Sequence, residues 1–317
     1  MKKKLLFIIP IVIIVLFIIA IPVLFRITGF KPTKDDNKLT IVTSNFPSYD
    51  FARAITKDVP NTSVEMLLKP GTEAHDYEPS PKDIVKISKA DIFIYIGGES
   101  DEWIDDLLKD INTKKVKVVK LMDLADKRFE EDPQTKEKSI DLEYDEHVWT
   151  GPRNSIKILK GLNKIISEED PDNSSLYNTN TNNYINEFKE IDSEMWRIGD
   201  NLKRNILVFG DRFPFRYLVN EYNFNYYAAF PGCSSETEAS SKTISNLINI
   251  VKENNVPIII KVDYSNGKIA NTIANETGAK VLTMYSGHNI TEEEFNSGKT
   301  LIDIMKDNID VIKQALQ

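Results

Sequence analysis

The side chains best able to bind a metal or move a proton near neutral pH are scarce in this chain of 317 residues: three histidines, His75, His147 and His288, and one cysteine, Cys233. Imidazole nitrogen is a good donor to zinc and other first-row metals, and a tetrahedral site asks for a fourth ligand. No two of the histidines stand at the helical spacing of a motif such as H-E-x-x-H, so a site built from them has to be assembled by the fold. A lone histidine is more often a surface or hydrogen-bonded residue; position is what raises the metal reading here. His75 lies in GTEAHDYEPS after a β-like run, His147 in DEHVWTGPRN ahead of a helix, and His288 in YSGHN after the last β-like run. Open α/β sheets bind ligands outside the carboxyl ends of their strands, where His75 and His288 are expected, one in each half. Asp211, directly after a strand ending Phe209-Gly210, is a suitable carboxylate donor.

The elements that must position these residues alternate between short β-rich runs and amphipathic stretches. Strands are expected over Leu39–Thr43, Val64–Leu68, Asp91–Ile96 and Val116–Val119, with Phe51–Ile55 on a helix. Ser80 as N-cap and Pro81 at the first helical position start another helix. Such alternation implies a mostly parallel sheet covered on both faces. Between Asp172 and Lys203, the residues Tyr177, Thr181, Tyr184, Phe188, Ile191, Met195, Ile198 and Leu202 recur at spacings of four and three, one stripe of a long helix. Continuous from Ser174 to Lys203 it would span roughly 45 Å, more than a single domain needs, and a rigid strut along two lobes accounts for it. A coiled-coil seam is the bland alternative, but the stripe has no flanking heptads. The pattern then restarts: strands at Ile206–Phe209, Asn225–Ala229, Pro257–Val262 and Val281–Met284, helices at Phe213–Tyr222, Lys242–Asn254, Lys268–Glu276 and Leu301–Leu316. Asp126–Glu146 is a charged, mostly acidic insertion and reads as a solvated surface loop. The expected fold class is therefore α/β: two lobes with mostly parallel sheets flanked by helices, residues 38–171 and 204–317, joined by one rigid helix over 172–203.

Composition narrows the function. With 41% hydrophobic and 28% charged residues the chain is globular rather than disordered. A net charge of −8 disfavours a nucleic-acid partner, and one cysteine excludes an intramolecular disulfide framework or a Cys-rich metal cluster. Residues 1–37 read as a membrane segment and linker. Lys2, Lys3 and Lys4 precede an apolar run of 21 residues, Leu5–Phe25. A signal core has roughly 7–15 apolar residues and a spanning helix about 20, so the run favours an uncleaved anchor, with a long cleavable signal as the alternative. No A-x-A pattern follows it, and no cysteine is there for lipidation. The positive-inside tendency keeps the lysines cytoplasmic and the bulk of the chain outside, a bias weakened by Arg26, Lys31 and Lys34 beyond the run.

Taken together, GTEAHDYEPSPKDI (71–84), ADIFIYIGGESDEWIDDLL (90–108), DEHVWTGPRN (145–154) and SSETEAS (234–240) resemble the motifs of the zinc/manganese class of ABC-transporter substrate-binding proteins, in the family's order and spacing from about Leu39 to Asp310. The resemblance implies two α/β lobes joined by one backbone helix with the metal between them. It carries ligand roles to His75 and His147. The family's third ligand, usually histidine, falls in Gly210–Leu218, which has none; strict spacing from Tyr217 would put Arg212 there, and since a guanidinium cannot bind a cation, Asp211 is chosen. The fourth ligand position corresponds to the region of His288. Glu236 and Glu238 rival Asp211, although Glu238 is as well read as capping the helix that begins near Ser240. Cys233 beside them could be a soft ligand that favours zinc, but a partly buried lone thiol is the favoured reading. The His-rich loop of many zinc-specific relatives has no counterpart in Asp126–Glu146.

Three imidazoles with one carboxylate suit Zn²⁺ as the transported ligand, while Mn²⁺ gains if more oxygen donors join. The expected function is capture of the ion outside the cytoplasm, by a non-enzymatic monomer, for an ABC permease with its cytoplasmic ATPase, since the chain has no phosphate-binding loop of its own. A zinc-dependent hydrolase, with Asp211 or Glu236 as base, and a metal-binding surface adhesin are the alternatives. The hydrolase needs a substrate pocket with an independent acid or base, and none is identifiable.

Overall fold

The computed structural model describes residues 38–74, 77–110, 115–137, 143–232 and 239–317. Among these, eight strands form two parallel sheets of four. β1 (Leu39–Thr43), β2 (Thr62–Met66), β3 (Ile92–Tyr95) and β4 (Lys117–Lys120) make the first, in the order β2-β1-β3-β4. β5 (Ile206–Phe209), β6 (Asn225–Ala228), β7 (Ile258–Val262) and β8 (Lys280–Met284) make the second, in the equivalent order β6-β5-β7-β8. Parallel neighbours need crossovers, and helices supply them. α1 (Phe46–Ile55), α2 (Pro81–Lys89) and α3 (Glu102–Asp110) serve the first sheet. α4 (Pro152–Glu169) and α5 (Ser174–Gly199) follow it. α6 (Arg216–Glu221), α7 (Ser241–Glu253) and α8 (Lys268–Thr277) serve the second, and α9 (Glu292–Ser297) and α10 (Leu301–Leu316) close the chain. In both sheets the strand order reverses beside the first strand, between β1 and β3 and between β5 and β7, which opens a crevice at the carboxyl ends.

The period of two along each strand sorts side chains between two apolar layers. Ile41, Ile92 and Ile94 face one core while Val42, Phe93 and Tyr95 face another with Ile87 of α2 and Ile104 of α3. In the second sheet Leu207, Phe209, Ile258 and Ile260 face the first of these cores, and Val208 and Ile259 pack with α7 and α8. One core is thus shared by both sheets, and α5 runs through it. Of the eight residues of the expected stripe, all but Leu202 are buried on α5, which ends at Gly199 short of Lys203. Buried Asp50 ties this layer together, accepting from the Tyr184 hydroxyl on α5, from Arg53 Nε at 2.9 Å and from the Leu301 N–H at 3.2 Å where α10 begins.

Ser80 caps α2 with Asp83 in a reciprocal capping box and Pro81 follows, as its sequence predicts. The helix expected from Phe213 begins only at Arg216, because Pro214 disfavours helical backbone at the residue before it. α3, not among the elements expected from the sequence, is a full helix with Ile104 on its buried face. Over its described residues the acidic insertion is largely exposed or half-buried, as expected of a surface loop, but Phe129 and Tyr144 pair as an antiparallel bridge with rings stacked at 4.3 Å, and Asp145 and Glu146 at its end are wholly buried. The apolar run Leu5–Phe25 lies outside the described residues, among which no helix is long and apolar enough to cross a membrane.

α4 starts at Gly151, which has no side chain to cap it, and the second half of the chain supplies the cap: Glu221 of α6 accepts from the N–H groups of Arg153 at 3.1 Å and Asn154 at 3.3 Å. A Cβ at Gly151 would lie 2.4 Å from Glu221 Oε1, so glycine permits the approach. Burial pushes the Glu221 carboxyl up to about 7, against the two N–H groups, which favour its charge. The unfolded chain loses this proton near the ordinary value of 4.5, so between the two values the folded state holds more protons and stability falls as pH rises. Relative to Glu221→Gln, the metal-free protein should lose on the order of 3 kcal/mol between about pH 4 and about pH 8. Urea unfolding of the two proteins side by side measures this, and parallel pH profiles would refute it.

Candidate metal centre

The centre is built from Asp145, Glu146 and His147, then completed by His288 from beyond β8. In a strand, neighbouring side chains point to opposite faces. Here the Val148 N–H donates to the Glu146 carbonyl at 2.7 Å across His147, whose φ of −76° and ψ of 43° lie close to an inverse γ-turn. The bend lets Glu146 and His147 serve one site. The Thr150 N–H and hydroxyl both donate to the His147 carbonyl, at 3.1 and 2.8 Å, and fix the turn that leads into α4.

His147 is 2% exposed. Its Nδ1 lies 2.9 Å from Asp145 Oδ1, which also accepts the His147 N–H at 2.9 Å. An ionised carboxylate only accepts, so Nδ1 carries the proton and Nε2 is left as the donor to a metal, the usual carboxylate–histidine arrangement. Burial pulls the imidazole down, but the carboxylates of Asp145, Glu146 and Glu130 more than offset this and hold it above its ordinary value. Burial likewise pushes Asp145 up, and His147 and Arg216 outweigh it, so Asp145 stays below the usual carboxylate range. The surroundings favour positive charge at His147, whether proton or metal.

Glu146 has no solvent exposure, and burial pushes its carboxyl up to about 7 despite His147 and Ser100 beside it. Oε2 accepts from the Ser100 N–H at 2.9 Å and its hydroxyl at 3.0 Å. This approach requires Gly98, where a Cβ would fall 2.2 Å from Glu146 Cβ. Ser100 Oγ also lies 3.2 Å from His288 Nε2, which stands 3.7 Å from Glu146 Oε1. His288 follows left-handed Gly287 at φ +70°, and its N–H donates to Ser286 Oγ at 3.3 Å. Ser286 is held in turn by Asp263, which accepts its N–H at 2.7 Å, and by Trp149 Nε1, which donates to its carbonyl at 2.9 Å.

One donor atom from each of Glu146, His147 and His288 can be chosen so that all lie within 4.8 Å of one another, the metal-competent grouping found among the described residues. His147 and His288 line, with Glu73, Arg212 and Asn289, a partly open cavity of about 20 Å³, room enough for an ion or a water. Asp211 is buried but stands outside that grouping. Its oxygens accept from the Arg212 N–H at 2.9 Å and the Val262 N–H at 3.2 Å, tying the end of β5 to β7. Arg212 faces the cavity and pairs with Glu73 at 3.5 Å. His75, Cys233, Glu236 and Glu238 lie outside the described residues. Glu146 was not singled out by sequence reasoning. It sat beside His147 in the DEHVW motif, but at the end of a charged run that reads as solvent-facing.

Over residues 41–315 the chain matches the family model described as zinc-uptake complex component A, periplasmic. It is 28% identical over 328 residues to the zinc-binding protein AdcA of Streptococcus pyogenes serotype M3, covering 99% of this chain but 61% of that relative, so it spans about three fifths of that protein's length. It is 31% identical over 293 residues to the high-affinity zinc uptake system protein ZnuA of Bacillus subtilis, covering 91% of this chain and 90% of the relative. Among solved structures it resembles the Zn(II)-bound ZnuA-like domain of Streptococcus pneumoniae AdcA, with a TM-score of 0.72, 29% identity, and coverage of 88% of this chain and 98% of that one. With two parallel sheets in the same arrangement and a family match spanning nearly all of the described chain, this protein belongs to the zinc-uptake complex component A family.

Proposed function

We propose that the protein captures Zn²⁺ outside the cytoplasm and delivers it to an ABC permease driven by a cytoplasmic ATPase. The observation that carries this reading is the buried cluster of Glu146, His147 and His288, drawn from both halves of the chain. His75 is the fourth ligand, and Glu146 takes the carboxylate role for which the sequence offered Asp211, Glu236 and Glu238. Three imidazoles and one carboxylate are a zinc donor set; manganese would ask for more oxygen. Four protein ligands leave a tetrahedral zinc no open position for a reacting water. The names of the relatives, a zinc-binding protein and a zinc uptake system protein, agree with this reading.

The same proposal assigns residues 38–171 and 204–317 to two lobes, with the helix region 172–203 as the strut between them. Residues 1–37 anchor the protein to the outer face of the membrane, which raises its effective concentration at the permease without any new contact.

Elemental mass spectrometry of the full chain, purified without added metal or a histidine tag, tests the site. About one zinc per chain is expected, lost in His75→Ala, His147→Ala, His288→Ala and Glu146→Gln and kept in Asp211→Ala. Zinc kept by Glu146→Gln but lost by Asp211→Ala would return the carboxylate role to Asp211, and manganese in place of zinc would overturn the choice of ion. Because Ser100 braces both Glu146 and His288, Ser100→Ala should weaken zinc binding about tenfold in chelator competition, within the range for residues that orient metal ligands. Unchanged affinity would show that the two ligands hold their places without it.

A further inference from the structure

We infer that Arg216 is a positioning residue for the metal centre, acting on His147 only through Asp145. This deepens the capture reading and rests on it. Arg216 opens α6 in the second half of the chain, is 1% exposed, and is held on several sides. Its Nη1 lies 2.9 Å from Glu131 Oε1 and donates to the Tyr226 hydroxyl at 3.0 Å, and Nη2 donates to the Glu131 carbonyl at 3.3 Å. Its Nε donates to Asp145 Oδ2 at 3.3 Å. The two oxygens of Asp145 are therefore divided: Oδ1 holds the N–H and Nδ1 of His147, and Oδ2 faces the guanidinium.

The division matters because Asp145 has no solvent exposure. A buried carboxylate persists in its charged form only where fixed partners replace water. Without Arg216, Oδ2 loses its fixed donor, and the carboxylate is free to turn toward another. Such a turn withdraws Oδ1 from His147, which then loses what fixes its tautomer and ring plane. The planar fork suits the task, since one rigid group meets Asp145, Glu131 and Tyr226 together, which an ammonium on a flexible stem does not. The same helix steadies the loop at two further points: the Tyr217 hydroxyl donates to the Asp145 carbonyl at 2.7 Å, and Glu221 caps α4. The half that lacks His147 thus sets where His147 points.

The test is non-additivity. Zinc affinity by chelator competition is measured for wild type, Arg216→Met, Asp145→Asn and the double variant, with thermal melts of each metal-free protein to report folding separately. Arg216→Met should weaken zinc binding about 10–100-fold in the wild-type background and about twofold or less once Asp145 is Asn. ¹H–¹⁵N spectra of the metal-free protein should show His147 leaving its single Nδ1–H tautomer in Arg216→Met, a signal that a loss of general stability would not produce. Equal losses in both backgrounds, or no loss in either, would overturn the inference. Should Arg216→Met not fold, Tyr226→Phe removes one anchor of the fork, and the same pattern at smaller size is expected. A wild type that holds no zinc would instead overturn the capture reading itself.

Discussion

Two carboxylates without solvent, Asp145 and Glu146, set the terms for everything around them. A charge withdrawn from water has to be met by donors fixed in place, and each of these is met by a different part of the chain. Asp145 takes two N–H groups of His147 on one oxygen and the Arg216 guanidinium on the other. Glu146 takes the Ser100 N–H and hydroxyl, just past the glycine turn that ends β3. None of these partners is adjacent to the carboxylates in sequence except His147. The loop at 145–147 holds its shape only when the turn after β3 and the start of α6 are both docked against it. The candidate metal centre is accordingly a product of distant parts of the chain rather than of a local motif.

That docking is made possible by two sheets of identical strand order sharing one apolar layer. Alternate residues of β1, β3, β5 and β7 all face the core through which α5 passes, so the two sheets are fixed against a common surface. Asp50 adds a polar tie within that layer, joining α1, α5 and the start of α10. With the backs of the sheets held together, loops at their carboxyl ends converge, and that is where Ser100, Arg216 and His288 emerge. The ion pair of Glu73 with Arg212 joins segments following β2 and β5 across the same cavity. It is partly exposed and therefore a modest contributor to stability.

Much of this architecture was legible in the sequence because it rests on periodicity. The four-and-three spacing on α5 and the apolar runs of the strands report which face is buried, and Ser80-Pro81 reports a helix start. Element ends were displaced where local chemistry intervened, as at Pro214 and Gly199. The site was only half legible. His147 and His288 could be picked out because histidine is rare here and both adjoin loops at element ends. Glu146 could not, because its burial depends on Gly98 leaving space for it and on Ser100 standing opposite, two facts of tertiary contact. A run of charges reads as solvated unless something distant covers it, and the cover over Asp145 comes from Arg216, seventy-one positions away. Arg212 and Arg216 illustrate the same limit: four residues apart on one segment, one faces the cavity and the other is sealed in the core behind it.

The donor types bear on which cation such a centre would accept. Glu146, His147 and His288 offer one carboxylate and two imidazoles, and the proposed His75 would add a third. Mg²⁺ gives up its waters reluctantly, and Ca²⁺ asks for six to eight oxygen ligands; two imidazoles and one carboxylate serve neither. Zinc accepts nitrogen and oxygen donors at low coordination number and has no geometric preference of its own to defend. A cation there would also favour the charged form of Glu146, whose carboxyl burial pushes up to about 7. Such a centre would therefore select by donor type rather than by radius, and the elements that hold the donors in place are the buried loop at 145–147, the turn at Gly98–Ser100 and the indole of Trp149 packed 4.9 Å from the His288 ring.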